Sequence, residues 1–244
     1  MHIKLLQWNI LFDEKYENIL RELKKINADV LCLEEATTQS PVNRKRHVAD
    51  DLARALGMHV HYGRAGHWEG RHFGNAVLSR FPIVKRRMIP LKIHEAYHDT
   101  PEYIKRGYVE ATLNIRGKRL AVGVTHLAFR RRFHHTPVKV KEADRLMEIV
   151  RKRKKNYILC GDMNALPQSY TIRHFKKCLV NAGPPYREKS FTTIPFTFEG
   201  WHARRLHYRV DYCFTTPDIR VKTARFLGDV KASDHLPILI ELEV

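Results

Sequence analysis

Short apolar runs that stop at a polar residue set the tightest limit on how this chain can fold. Tyr157-Ile158-Leu159-Cys160 has the texture of a buried strand, and it ends at once in Gly161-Asp162-Met163-Asn164. The pattern recurs. The first apolar run reaches Asn9, VLCL reaches Glu34-Glu35, VGVT reaches His126, YRV gives Asp211, and the last strand is preceded by Ser233-Asp234-His235. Any one of these has an ordinary reading as a turn residue, a helix cap or a hydrogen-bonded core histidine. Together, each at the mouth of a strand, they point to one shared edge, the place where open α/β sheets bind ligands.

The apolar spacing fills in the rest. Helices are expected over 16–27, with Ile19, Leu20, Leu23 and Ile26 on one face; over 43–57, closed by Gly57; and over 137–155, with Val140, Ala143, Leu146, Met147 and Val150 inward. Strands are expected at 3–10 and in ADVLCLEE, MHVHYGR, NAVLSRF, IVKRRMIPL, YVEATLNI, RLAVGVTHL, YILCGD, YRVDYCFTT, IRVKTARFL and LPILIELEV, with a hairpin turn at 116–118. Strand and helix alternate at first, and strands dominate later. That order predicts an α/β protein with two packed sheets and helices on the outer faces. No linker or internal repeat interrupts the 244 residues, so a single domain over 1–244 is expected.

Charge narrows the partners. Lys and Arg number 44 against 26 Asp and Glu, a formal +18, which favours a polyanion: nucleic acid, an anionic membrane or a phosphorylated metabolite. Cys32, Cys160 and Cys213 lie in apolar runs, and no disulfide or CxxC spacing includes them or Cys178, as in a reducing compartment. The N-terminal stretch is too quickly acidic for a signal peptide, and no run approaches the ~18 apolar residues of a membrane span. A soluble, cytoplasmic monomer is the expectation.

The strand-end residues share a chemistry. Carboxylates and amide oxygens are hard ligands that suit Mg²⁺ or Mn²⁺ better than zinc. His235 can pair with Asp211 or Asp234 to activate a hydroxyl, while His126 and Asn164 can donate to a phosphoryl oxygen. A hard metal, a water activator and phosphate donors together specify phosphate-ester hydrolysis.

Seven motifs then carry a resemblance: QWNI at 7–10, ADVLCLEE at 28–35, GNAVLSRFPI at 74–83, VTHL at 124–127, GDMNA at 161–165, RVDYCF at 209–214 and SDHLPI at 233–238. In this order they resemble the endonuclease/exonuclease/phosphatase superfamily, with its deoxyribonuclease-I-like fold. The resemblance implies a four-layer α/β/β/α sandwich of two mixed sheets, and in-line attack of water on a phosphodiester. It implies Glu35 as the metal-binding glutamate, Asn9 beside the metal and Asp234 as a second metal-side carboxylate. It implies His235 as the catalytic histidine oriented by Asp211, His126 as a phosphate contact, and Asp162 and Asn164 around the attacking water. Two departures stand out. Glu34 replaces the family's usual glutamine, and is expected either to strengthen metal binding or to face solvent. WNILF lacks the continuation seen in abasic-site endonucleases, and the TH motif replaces their tyrosine.

Basic, aromatic stretches follow many strands: 67–74, 94–107, 128–135, 169–177 and 196–209. Arg and Lys there can track a phosphate backbone while aromatic rings stack on bases. Asn75, Arg130, Trp201 and Arg209 are the candidate substrate contacts. RKRKK at 151–155 reads as a solvated helix end that complements the macrodipole. The leading expectation is a Mg²⁺-dependent nuclease or phosphodiesterase on DNA or RNA, end-processing repair activities included. The alternatives are a phosphodiesterase or phosphatase on lipid headgroups or small phosphate esters, and a non-catalytic nucleic-acid-binding protein.

Overall fold

A computed structural model describes residues 1–68, 70–91 and 106–244, with the backbone alone of Trp68. Most of the stretch at 94–107 lies outside these residues; Arg106 and Gly107 lie within. The chain runs β1 (His2–Asn9), α1 (Tyr16–Ile26), β2 (Val30–Thr38), α2 (Val48–Leu56), β3 (His59–Trp68), β4 (Arg71–Ser79), β5 (Ile83–Pro90), β6 (Gly107–Ile115) and β7 (Lys118–His126). It continues through α3 (Pro137–Val150), β8 (Tyr157–Asp162), α4 (Tyr170–Phe175), β9 (Val180–Asn181), β10 (Phe196–Phe198), β11 (Trp201–Ala203), β12 (Asp211–Thr215), β13 (Arg220–Phe226) and β14 (Ile238–Glu243).

The strands form two mixed six-stranded sheets, ordered β13-β14-β1-β2-β4-β3 and β5-β6-β7-β8-β12-β9, and β10 and β11 form a separate ribbon. Period-2 alternation splits the apolar residues between two faces. Ile3, Leu5, Cys32 and Val77 of the first sheet meet Val109, Val122, Ile158, Cys160 and Cys213 of the second in a core between the sheets. Leu6, Trp8, Leu31 and Leu33 face the other way, onto Ile19 and Leu23 of α1 and Leu52 of α2. Tyr157, Leu159, Tyr212 and Phe214 pack on Leu146 and Met147 of α3 and Ile172 and Phe175 of α4. The layers are therefore α/β/β/α. Among the described residues no helix is long and apolar enough to cross a membrane.

Three boundaries differ from the sequence reading. The second helix starts at Val48, because 41–45 form a turn in which Asn43 accepts from Tyr16 N–H (2.8 Å). The third ends at Val150 rather than 155. Arg153 beyond it folds back onto buried Glu110, Nε to Oε2 at 2.9 Å, so RKRKK is not wholly a solvated helix end. Within 169–177, read as a loop, Ser169 caps α4 by accepting from Ile172 N–H.

A candidate metal-dependent hydrolytic site

Strand parity explains why distant residues meet. Ile3 and Leu5 face the inter-sheet core, so Gln7 and Asn9 follow on the same face; Ile158 and Cys160 are followed by Asp162, Val122 and Val124 by His126, Cys32 by Glu34, and Cys213 is preceded by Asp211. The polar groups are the last rungs of the core itself. Pairing then aligns the strands: His126 lies opposite Asp162, Asp162 opposite Asp211, and Asn9 opposite Glu34. Gly161 permits the closest of these approaches. Its φ is +151°, and a Cβ there would lie 1.8 Å from the Thr125 carbonyl oxygen on β7.

Glu35 has the wrong parity and reaches the site by another route. Strand β2 carries a bulge between Leu33 and Ala36, and Glu35 takes φ +58°. The extra residue lets both Glu34 and Glu35 face inward, while Ala36 returns to the helix side. Glu35 Oε2 accepts from Phe12 N–H (3.0 Å), and Oε1 accepts from Asn9 Nδ2 (3.0 Å). Asn9 Nδ2 also donates to Asp162 Oδ2 (3.3 Å), and its oxygen accepts from Leu11 N–H (3.1 Å). Asn9 thus braces two carboxylates.

His235 and Asp211 form a buried pair, Nδ1 to Oδ2 at 2.8 Å, and His235 Nε2 lies 3.8 Å from Asp162 Oδ2. His126 Nε2 lies 3.3 Å from Asp162 Oδ2 and 2.9 Å from Asn164 Nδ2. Asn164 N–H donates to Asp162 Oδ1 (2.8 Å), and its amide donates to the Leu127 carbonyl (3.0 Å). Asp234 completes the ring of acids near Glu35.

Burial without compensation raises the acids. Desolvation lifts Asp162 to about 7, with His235 opposing and Asp211 reinforcing. Desolvation also lifts Glu35, aided by Asp234, and lifts Asp234, reinforced by Asp211 and opposed by His235. Burial opposes the charge on His235, but Asp211, Asp162 and Asp234 outweigh it and hold its pKa well above the usual value. His126 moves the other way, well below its usual value, through burial, Arg106 and His235.

A buried pocket in which Glu35, Asp162, Asp211 and Asp234 outnumber the histidine they surround fits a hard divalent cation. Ligand atoms of Asp162, Asp211 and His235 lie within 4.8 Å of one another and could hold one. Glu35 and Asp234 lie close enough to interact and offer further oxygens, while the Asn9 oxygen accepts from Leu11 N–H.

The acids and His126, His235 and Asn164 line a cavity of about 440 Å³. Arg130 lines it too, as does Arg106, which the sequence reading did not single out. The other three substrate candidates are absent from the lining. Arg209 is fully buried, its guanidinium donating to the carbonyls of Asp211 (2.7 Å), Pro184 (3.1 Å) and Pro185 (3.0 Å). Asn75 donates across the sheets to the Gly107 carbonyl (2.8 Å). Trp201 is buried behind Phe129, ring centroids 6.1 Å apart and nearly parallel.

Glu34 does not face solvent. It is fully buried, accepting from Gln7 Nε2 (2.8 Å), and Gln7 also donates to Asp211 Oδ1 (3.2 Å). Desolvation, then Asp211, raises its pKa well above the usual value. Lys139 was also missed. It is buried on α3 and donates to the Asn164 carbonyl and to that of Phe133 (3.4 Å); burial lowers it to about 8.

No curated protein sequence matches the chain. Solved structures do. A protein from Beutenbergia cavernae described as endonuclease/exonuclease/phosphatase is 20% identical at TM-score 0.76, over 100% of this chain and 72% of that one. ANGEL2, a 2',3'-cyclic phosphatase in complex with adenosine-2',3'-vanadate, is 18% identical at TM-score 0.70, over 99% of this chain and 95% of its own. The Bacteroides thetaiotaomicron mannosyl-6-phosphatase Bt3783 is 17% identical at TM-score 0.69, over 99% of this chain and 100% of its own. These likenesses establish the fold alone. The family model described as "Endonuclease/Exonuclease/phosphatase family" matches residues 6–235, and by that match the chain belongs to this family.

Proposed function

We propose that the protein hydrolyses phosphodiester bonds of nucleic acid with a bound Mg²⁺ or Mn²⁺. The single observation that carries this reading is one cavity holding Asp162, His235 and Asn164 together with two arginines and a lining of phenylalanines. Glu35 and Asp234, with Asp162 beside them, would hold the cation, which supplies charge stabilisation at the phosphoryl and leaving oxygens when bound. Asp162, at about 7, is poised to take a proton from the attacking water. His235, whose pKa its three neighbouring carboxylates raise well above the usual value, would donate a hydrogen bond to the phosphoryl oxygen. His126 and Asn164 would contact the same phosphate. The water oxygen bonds to phosphorus, the ester oxygen leaves, and the proton from water passes to Asp162.

The fold does not choose the ester: of two similarly folded proteins, one is a 2',3'-cyclic phosphatase and the other a mannosyl-6-phosphatase. The formal charge of +18 and the aromatic lining favour nucleic acid over a sugar phosphate. A panel of single- and double-stranded DNA and RNA, mannose 6-phosphate and a sphingomyelin analogue tests it, each assayed with Mg²⁺, Mn²⁺ or chelator. Metal-dependent oligonucleotide cleavage that is lost in His235→Ala and Asp162→Asn is expected. Turnover confined to the sugar phosphate or the lipid would overturn the substrate assignment.

A further inference from the structure

Phenylalanine is the residue a soluble protein has most reason to cover, yet several rings here border open space. Phe129, after β7, and Phe196 and Phe198, on β10, are each only partly buried and line the cavity. They form a built surface. Phe198 meets Phe129 edge to face at 5.1 Å, Phe196 meets Phe129 at 5.8 Å, and Trp201 backs Phe129. Phe191 continues the wall down to the reacting groups, its ring 4.8 Å from that of His235. Phe12, in the turn after β1, and Phe73, on β4, add apolar surface to the same cavity, with Arg71 over the Phe12 ring at 5.6 Å.

We infer that this phenylalanine box is a subsite for one unpaired nucleobase, seated beside the phosphate contacted by His235, His126 and Asn164, so that the enzyme acts on single-stranded or frayed nucleic acid and not within a duplex. The inference rests on the proposed phosphodiesterase reading and names its substrate class. Size and chemistry carry it. A cavity of about 440 Å³ accepts roughly one nucleotide and excludes a stack of paired bases. A base offers a flat π-face to the rings, and its flanking phosphates fall to Arg106 and Arg130. A base in a duplex must be unpaired and unstacked before it can enter, and a base in a single strand is already free of its partner.

The test compares oligothymidylate with an oligomer of the same length built of tetrahydrofuran abasic units. The backbone charge is identical and the bases are gone. Both are assayed with Mg²⁺ in the wild type and in Phe196→Leu and Phe198→Leu, beside a blunt duplex containing the same thymidylate strand. Expected in the wild type is a kcat/KM about 5- to 100-fold higher for the base-bearing oligomer, with the single strand favoured over the duplex. The leucine variants, whose folding is verified by thermal melting, should narrow the base-dependent ratio severalfold. Equal wild-type cleavage of both oligomers, a ratio that the variants leave untouched, or faster cleavage of the duplex would each overturn the base subsite while leaving a nuclease. Absence of metal-dependent cleavage of every oligonucleotide would remove the phosphodiesterase reading and the subsite with it.

Discussion

The two ends of the same sheets carry opposite kinds of charge. At one end β1, β2, β7, β8 and β12 present Asn9, Glu34, Glu35, His126, Asp162 and Asp211, nearly all of them buried. At the other, the β6–β7 turn and the chain after α3 expose Arg116, Lys118, Arg119, Lys152 and Lys154; Asn156 O accepts from Ala121 N–H (2.9 Å), tying these two segments together. The strands are common to both ends, so backbone geometry cannot account for the difference. Desolvation does. Ions stripped of water respond strongly to one another, and ions in water are screened within a Debye length of ~8 Å. The buried end is equipped for proton transfer, and the wet end for long-range attraction and solubility.

The sharpest way to break that contrast is to mutate both ends in one assay. His235→Ala or Asp162→Asn should lower kcat by about 10²–10⁴, while Lys152→Gln with Lys154→Gln should leave kcat within twofold. Comparable losses at both ends would sink the distinction.

A smaller effect concerns the lysine behind the pocket. Lys139→Met retains length and removes the charge that braces the Asn164 and Phe133 carbonyls. A fall in kcat of about 10- to 100-fold is expected from the loosened geometry. In the wild type, activity should also decline above about pH 8 as Lys139 loses its proton. In the variant that limb should disappear; an unchanged alkaline limb would refute the brace.

The buried end should also register in stability. Asp162 has a folded pKa of about 7 against an ordinary 3.8, so between these values the folded protein keeps a proton that the unfolded chain has released. Stability must then fall as pH rises across the window. Glu34, Glu35 and Asp234, all raised, contribute with the same sign, and so does His235 as pH climbs through its raised folded pKa. His126, lowered, works in the opposite sense up to its ordinary 6.5. The Tm of chelated protein should decline from about pH 4 to 7, by less when Mg²⁺ is present, since a cation favours the ionised acids. A Tm in chelator that climbs over this range would contradict the crowded-acid picture.

The smallest effect belongs to the wet end. Replacing Lys152, Lys154 and Lys155 with Gln should reduce the slope of log KM against log salt by no more than about one for each phosphate left without its cation. A flat response in all variants would confine substrate attraction to the pocket's own arginines.

Much of this contrast could be read from the residues, because apolar alternation fixes which face a side chain takes and each run announces its own polar end. Asp162, Asp211 and His126 were legible on that basis. The pair Glu34-Glu35 was only half legible: alternation after Cys32 turns Glu34 inward, but two adjacent glutamates look like a wet strand end, and only the bulge, a feature of pairing with β4, brings Glu35 in beside it. Lys139 escaped because the helical pattern around Val140 and Ala143 gives a lysine no reason to be inside; the carbonyls it reaches belong to the turn just before its helix and to the loop after β8. Arg209 misled in the reverse sense, since a cation near aromatic residues resembles a ligand contact until its carbonyl partners are seen. Arg106 was marked only as one member of the basic stretch at 94–107.

The bulge in β2 has a consequence for how this pocket could be tuned. Shortening the strand by one residue at 34–35 would restore regular pairing and leave a single acid there, with the strand's remaining alternation unchanged. The number of acids that this strand turns into the pocket is therefore set by a one-residue length difference, a lever that insertion or deletion can pull more directly than substitution.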